Sequence, residues 1–441
     1  MKIPFFKKKN NDAATEQGAG RFAENIARFF SAEPQKEKIL RHEDFARAGD
    51  VYYATVSARY KVAQRILILL LVIFLLFSIF TNISNITYGN LFYFFRDFGN
   101  AVDIESSNYE SLSYDVYGDQ SFALYRGGIA AVSPSNVSVF TATGRRTLKS
   151  RSDFAQPYAV CSKKYALVYD VSGNSFALYN SFSKIYTESF DYPISDAAIS
   201  DSGVFALLTR SADYKSVVNV YNKNVKLAGR YSKDMYALDI ALDSAGERMA
   251  VIYYDIGDGL GRTVLRVYDI SNRVAEGKDP DEDRVIAQKT LEGEFPLGCA
   301  FMSDGKLSVA TNGSVSILDN SEYEVYDYIN FEGELRAVYA SENGVAVAVK
   351  EGVLNDVNTV IAFDKDGKVL YNELVRESVR EIAVLGRHIF IKTDAGVARI
   401  NADTGEEEEL SSQAGKMLIY DESTAIVCGE SKAVYIKFKE N

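Results

Sequence analysis

Two patterns of hydrophobic positions divide the chain. An uncharged apolar run begins at Ile66 and ends at Ile86; as a helix rising 1.5 Å per residue it would reach about 31 Å, the thickness of a bilayer core. From about residue 110 onward, short β-branched and aromatic runs alternate with polar turns, which is typical of strands. The sequence therefore predicts one membrane-spanning helix followed by an all-β region.

The β-rich region repeats. One recurrent unit is a β-branched strand that ends in Asp or Asn, as in residues 264–269 and 359–364, and an apolar strand closed by a polar turn with glycine precedes it, as in residues 242–246 and 302–305. Such turn residues bond to the local backbone or adopt left-handed conformations. Four strands per unit predict eight units, whose first strands lie near Ala123, Ala159, Ala197, Asp239, Cys299, Ala337, Ile382 and Leu418.

The last unit has only three strands before the chain stops, and an orphan strand, residues 111–117, precedes the first unit. In a ring, the orphan strand would complete the last unit and leave no unpaired sheet edge between the ends of the chain. The predicted fold is therefore an all-β propeller of eight four-stranded blades, preceded by one transmembrane α-helix. Seven blades remain an alternative if the first unit is misassigned.

The strand that ends in Val267-Tyr268-Asp269, and Phe363-Asp364 followed by a turn to Gly367, resemble blades of the tryptophan-aspartate-repeat and quinoprotein-like propellers. The resemblance covers residues 110–438. A cytoplasmic head, one span and an outer propeller also resemble an uncharacterised family of bacterial membrane-anchored propellers, described only as a domain of unknown function. Quinoproteins use a docking motif with tryptophan, and this chain has none, so no cofactor is expected.

Charge is distributed unevenly along the chain. The formal charge is -11, but residues 1–65 carry 13 basic and 8 acidic side chains, and the remaining 376 carry 36 and 52. The positively charged end of a membrane span remains on the cytoplasmic side. We therefore expect a cytoplasmic, partly disordered segment 1–65 and a span that contacts membrane lipid. A juxtamembrane linker 87–108 and an extracytoplasmic propeller from residue 109 to residue 441 should follow. The acidic outer part disfavours nucleic acid as a partner.

Candidate catalytic chemistry is sparse. The two histidines, His42 and His388, fall on opposite sides of the predicted membrane, and His388 is expected to be an exposed strand-end residue, so neither a Ser-His-Asp triad nor a Cys/His metal site is expected. The three cysteines, Cys161, Cys299 and Cys428, lie in apolar strand contexts with no disulfide spacing. Small first-strand residues such as Ala197 and Ala241 favour tight packing at the axis over a catalytic funnel.

The longer loops between second and third strands fall in blades 3, 4 and 6. Loop variation on a rigid scaffold marks binding faces, so Tyr214, Asp255, Asp258 and Arg262 are the candidate partner contacts. A calcium loop at Asp255 and Asp258 would need more carboxylates. The predicted function is a non-enzymatic, membrane-anchored scaffold or assembly factor that binds a protein or a cell-wall polymer. The alternatives are a ligand-sensing propeller that signals through the span, and a propeller hydrolase or lyase; the oligomeric state is left open.

Overall fold

The computed structural model describes residues 48–81, 111–114, 120–257, 259, 261–271, 284–350, 352, 357–376 and 378–439. They form two compact units, a helix and a β-propeller. The predicted head as far as residue 47 and the predicted linker 87–108 lie outside the described residues.

Helix α1 spans Ala48–Thr81. Its segment Arg59–Phe77 is long and apolar enough to cross a bilayer, as the uncharged run predicts, and its side chains are exposed, with Leu67 at 70% and Phe77 at 67%. The helix begins well before Ile66, so residues 48–65 are helical and only the earlier part of the predicted head is left without a described structure. Residues 82–86 of the predicted span lie outside the described residues.

The strands form eight four-stranded antiparallel sheets, each of which is one blade. Blades 1 to 4 contain these strands in chain order: β2 Ser121–Tyr125, β3 Gly128–Val132, β4 Asn136–Phe140 and β5 Arg146–Arg151; β6 Pro157–Cys161, β7 Ala166–Asp170, β8 Ser175–Tyr179 and β9 Lys184–Ser189; β10 Asp196–Ile199, β11 Phe205–Thr209, β12 Ser216–Tyr221 and β13 Leu227–Lys233; β14 Tyr236–Leu242, β15 Arg248–Asp255, β16 Arg262–Asp269 and β17 Val285–Glu292.

Blades 5 to 8 have the same strand order, except that the outermost strand of blade 8 comes from the start of the propeller. Their strands are β18 Pro296–Phe301, β19 Leu307–Thr311, β20 Ser314–Leu318 and β21 Val325–Asn330; β22 Glu334–Ser341, β23 Gly344–Lys350, β24 Asn358–Asp364 and β25 Val369–Val375; β26 Glu381–Leu385, β27 His388–Lys392, β28 Gly396–Asn401 and β29 Glu407–Ser411; β30 Lys416–Asp421, β31 Thr424–Cys428, β32 Lys432–Lys437 and β1 Ser111–Ser113.

The first strand of every blade contacts the first strands of both neighbouring blades, and β30 of blade 8 contacts β2 of blade 1. The first strands therefore surround a central axis in a closed ring. Eight blades are confirmed, and all eight predicted first-strand positions fall on first strands. Seven blades are excluded.

The ring closes where β1 pairs with β32, with Leu112 opposite Ala433. The backbone N–H of Tyr114 donates to the carbonyl of Ser431 at 3.1 Å, and the Tyr114 hydroxyl donates to the carbonyl of Gly429. Leu112 and Tyr114 share one buried cluster with Phe140 of blade 1. The predicted orphan strand thus completes blade 8 and also packs the junction between blade 8 and blade 1.

Burial explains why the sequence pattern is readable. The second and third strands are covered on both faces by neighbouring blades, so that β11 and β20 are buried at every position. In β11 this burial reads as a run of four apolar residues that ends in Thr209. The outermost strands have one solvated face, and burial in β17 alternates with period two. This alternation is what a strand covered on one side requires.

Local turn chemistry produces the sequence repeat. The third strand of blade 5 is followed by Asp319, whose Oδ1 accepts the backbone N–H groups of Ser321, Glu322 and Tyr323 at 2.9, 2.9 and 3.0 Å. Asn and Asp close the equivalent turns of other blades in the same way. In the turn between β14 and β15, Gly246 has φ +71°, and a Cβ there would lie 2.7 Å from the Oγ of Ser202 in the neighbouring blade.

Replacing Leu112 with alanine should destabilise the propeller by about 2 to 4 kcal/mol, because a buried leucine is lost at the ring junction and leaves a cavity. Urea unfolding of the detergent-solubilised full chain measures this change. Ser113→Ala in the same strand is the matched control: Ser113 is exposed, so its free energy of unfolding should change by less than about 0.5 kcal/mol. Equal unfolding midpoints for Leu112→Ala and Ser113→Ala would contradict the closing role of β1.

Candidate functional site

A propeller has two faces, set by its strand connections. We call the face with the loops between second and third strands, and between one blade and the next, the loop face. The opposite face, with the tight turns between first and second strands, is the turn face. Three of the four predicted contacts, Tyr214, Asp255 and Arg262, lie on the loop face in blades 3 and 4. The fourth, Asp258, lies outside the described residues.

Asp255 and Arg262 lie directly opposite each other where β15 and β16 lead into their loop. The Nη2 and Nε groups of Arg262 donate to Asp255 Oδ2 at 2.7 and 3.0 Å, and this pair holds the pKa of Asp255 below its ordinary value. Gly261 lies beside them, and a Cβ at that position would have to displace the Tyr254 hydroxyl. The carboxylate of Asp255 is thus already paired with the guanidinium of Arg262.

Among the described residues no hydrogen bond joins Tyr214 to that ion pair, but the next residue in the chain, Lys215, carries a charge close to it. The ammonium of Lys215 lies 5.2 Å from the ring centroid of Tyr236 and 3.4 Å from the carboxylate of Asp234, and its charge also lowers the pKa of Asp255. Tyr214 itself is 44% exposed. Lys215 therefore links the loop of blade 3 to the edge of blade 4.

The structure adds an exposed hydrophobic patch that the sequence does not indicate. Tyr236 pairs with Tyr254 across β14 and β15, and the Tyr254 ring stands edge-on to Phe295 of blade 5 with centroids 4.9 Å apart. We define the apolar patch as the large hydrophobic residues exposed at this edge of blades 3 to 5: Tyr214, Tyr236, Leu238, Ile256, Phe295 and Leu297. Monomeric proteins rarely leave such clusters uncovered unless they bind something.

β-Bulges create part of this patch. The first strands of blades 4, 5 and 6 each contain one residue without a partner in the second strand, Leu238, Leu297 and Arg336 respectively. Leu238 is 41% exposed and Leu297 is 38% exposed. A bulge adds a residue, bends the strand and re-aims its side chains, and bulges are over-represented beside binding sites. The bulges thus expose two leucine side chains to solvent. A regular first strand would bury the side chains on one of its faces.

A cavity of about 1120 Å³ opens on the turn face and extends along the axis. Alanines of the first strands line it, including Ala197, Ala198, Ala241 and Ala300. The prediction that small first-strand residues pack the axis tightly is therefore wrong, because their small side chains leave the centre of this eight-bladed ring open. The small first-strand residues therefore no longer argue against a catalytic funnel at the axis.

Two carboxyl groups, Asp196 and Asp239, line this cavity. Each fastens its blade to the next: the backbone N–H of Ile240 donates to Asp196 Oδ2 at 3.0 Å, and the N–H of Cys299 donates to Asp239 Oδ2 at 2.6 Å. Ser121 and Glu381 accept first-strand N–H groups of the following blades in the same manner. These side chains therefore join successive first strands where no sheet ladder does.

Asp196 and Asp239 also interact with each other. Desolvation raises the pKa of both, and the charge of Asp239 raises the pKa of Asp196 further. The hydroxyl of Tyr169 lies 3.5 Å from Asp196 Oδ1, and the buried Cys299 thiol beside Asp239 has a raised pKa. Two neighbouring buried carboxyls do not both ionise readily, so the pair loses its protons at higher pH than an ordinary aspartate does.

His388 starts β27, as predicted, but its side chain is only 13% exposed and lies 3.4 Å from Glu422, so the expectation of an exposed residue is wrong. Burial lowers the pKa of His388. Cys161, Cys299 and Cys428 are unpaired thiols, and desolvation raises the pKa of Cys161 and of Cys428 to about 12.

A family model described as a family of unknown function (DUF5711) matches residues 104–438. Among curated proteins, none matches significantly. Similar solved structures include BamB from Moraxella catarrhalis, at 13% identity and a TM-score of 0.51 over 76% of this chain and 98% of that chain. Sqt1 from Chaetomium thermophilum matches at 12% identity with a TM-score of 0.52, over 75% and 99% of the two chains. At these identities the likeness shows a shared propeller fold.

Replacing Asp196 with asparagine should reduce the loss of stability that accompanies a rise in pH above the ordinary aspartate pKa. Because the pKa of Asp196 is raised in the folded state, its contribution is fully present below the ordinary aspartate pKa and is lost as the pH rises through the raised value, at up to about 1.4 kcal/mol per pH unit for one proton. Asparagine does not titrate, and its Oδ1 still accepts the Ile240 N–H.

Urea unfolding at pH 5 and pH 9 measures this effect. The difference in free energy of unfolding between the two pH values should be smaller in Asp196→Asn than in the wild type. Glu373→Gln, on the exposed edge of β25, removes a carboxylate without touching the pair and should retain the wild-type difference. An Asp196→Asn protein with the wild-type pH dependence would contradict the raised pKa of Asp196.

Proposed function

This chain belongs to the family of unknown function DUF5711, and we propose that it is a membrane-anchored scaffold whose propeller binds a protein partner through the loop face of blades 3 to 5. The observation that carries the proposal is the apolar patch, six large hydrophobic side chains exposed between 38% and 54% at one edge of that face. Burial of such a cluster is the main source of free energy in protein association.

The surroundings of the patch suit a protein interface. Charged pairs lie at its margin, Asp255 with Arg262 and Lys215 with Asp234, and such exposed pairs contribute little energy but set orientation. The patch combines aromatic and aliphatic side chains, as interface cores do. Leu238, Ile256 and Leu297 offer no hydrogen-bonding group to a hydroxylated polymer, so a protein is favoured over a cell-wall polymer.

The length and composition of α1 support anchoring of the scaffold at a membrane. The segment Arg59–Phe77 has a bilayer-spanning length. Basic residues predominate on its N-terminal side and acidic residues predominate in the rest of the chain. Positive-inside orientation then directs the propeller, and the patch on it, to the extracytoplasmic side. The partner is accordingly a protein of the cell envelope.

A scaffold is favoured over a hydrolase by the way the axial carboxyls are used. Asp196 and Asp239 both accept backbone N–H groups that fasten neighbouring blades, so the Oδ2 of each carboxyl has a structural role. In the described part of the axis no histidine accompanies them, because His388 lies on blade 7 against Glu422.

Removing the rings of the patch should abolish partner binding. Photocrosslinking from position 256 in intact cells should yield a discrete adduct, and Tyr236→Ser with Phe295→Ser should reduce it at least tenfold, because buried aromatic anchors carry about 2 kcal/mol or more of binding energy each. Tyr328→Ser with Tyr326→Ser removes two exposed rings from β21 and should leave the adduct unchanged. Equal adduct yields in the two double variants would refute the patch.

Charges placed in α1 should release the protein from the membrane. Leu71→Arg with Phe74→Asp should shift the chain to the soluble fraction on carbonate extraction, since each charge costs about 2.5 to 3.5 kcal/mol at the centre of a spanning helix. Leu71→Ile with Phe74→Leu keeps the segment apolar and should stay in the membrane.

The orientation is tested separately by labelling intact cells with a membrane-impermeant maleimide. Tyr214→Cys should be labelled and Ser31→Cys should be protected, both measured against the wild type, whose three thiols set the background. The opposite labelling pattern would overturn the extracytoplasmic placement.

A further inference from the structure

The axial cavity on the turn face is independent of the apolar patch, because the two open on opposite faces of the propeller. At about 1120 Å³ it is as large as sites that hold small organic molecules. Its wall is built from first strands of blades 2 to 6 and from the turns after them. The ring holds these strands in place, so the cavity is a preformed space.

The lining of the cavity is strongly acidic. Six carboxylate residues and only two basic residues line it. Both basic residues are already paired, Lys163 with Asp201 at 2.6 Å and Arg248 with Asp243 at 3.3 Å. In the described part of the chain, no lysine or arginine lies within ion-pair distance of Asp196 or Asp239.

Aromatic and apolar surfaces flank the carboxyl pair. The ring of Tyr158 lines the cavity, is 46% exposed and lies 5.8 Å from the ring of Tyr169, whose hydroxyl faces Asp196. An exposed tyrosine face beside carboxylates attracts a positively charged group. The alanines of the neighbouring strands provide an apolar wall for the rest of such a molecule.

We propose that the axial cavity binds a small organic cation, whose ammonium or guanidinium group is held between the carboxyl groups of Asp196 and Asp239 and beside the ring of Tyr158. An organic cation is favoured over a metal ion, because the described residues contain no group of three or more His, Cys, Asp and Glu side chains arranged to hold a metal. The volume of the cavity also far exceeds that of an ion.

Calorimetric titration of the detergent-solubilised full chain with 1,6-diaminohexane tests the site, with 1,6-hexanediol as the neutral molecule of the same length. The diamine should bind and the diol should bind at least tenfold more weakly. Asp196→Asn with Asp239→Asn keeps acceptors for the backbone N–H groups and should weaken diamine binding at least tenfold. Glu373→Gln should bind within twofold of the wild type.

A second measurement uses only the wild-type protein and so does not depend on the folding of the double variant. A bound ammonium favours the ionised form of the carboxyl pair, so binding should release a proton, which titrations in buffers of different ionisation enthalpy detect. The groups facing the pair are the Tyr158 and Tyr169 hydroxyls and the Cys299 thiol; burial raises the pKa of Tyr169 and of Cys299. The proton therefore comes from the carboxyls.

Several results would overturn the proposal. These are no diamine binding up to millimolar concentration, equal binding of the diol, unchanged binding in a folded double variant, or binding without proton release. Calcium that displaced the diamine and bound more tightly than it does would assign the site to a metal instead.

Discussion

The pairing of β1 with β32 is the constraint on which the rest of the structure depends. Each blade buries its faces only against its two neighbours, so a row of blades would expose a hydrophobic face at each end. The ring removes both ends, and β1 completes the blade at which they meet. Because Leu112 and Tyr114 also belong to the cluster that includes Phe140, this short strand supplies backbone pairing and core packing at the same junction.

Ring geometry also explains which parts of the fold are readable from the sequence. Second and third strands lie between blades and are largely buried on both sides. Asp or Asn after the third strand, as at Asp319, fixes the next turn through its own side chain. These are local signals, and they suffice for the blade count and for the closing strand. The loop positions of Asp255 and Arg262 follow from the same count.

The remaining features depend on contacts between blades. Asp196 and Asp239 are 43 positions apart in the chain, and only the ring brings their carboxyls together. Leu238 and Leu297 reach solvent because a bulge interrupts pairing, and a strict period-two pattern along the strand places them incorrectly. Alanine at the axis is compatible with close packing or with a cavity, and the number of blades decides between them. Single-sequence patterns carry none of this information.

The bulge in β14 links the two candidate sites. Side chains on a strand alternate between faces, so one inserted residue reverses the direction of everything beyond it. The bulged residue is Leu238, which contributes to the apolar patch, and the next residue is Asp239, whose carboxyl reaches the Cys299 N–H and the cavity. Without the bulge, β14 would no longer expose Leu238, and the carboxyl of Asp239 would point in another direction. This one backbone irregularity therefore positions a residue of the apolar patch and a carboxyl group of the cavity.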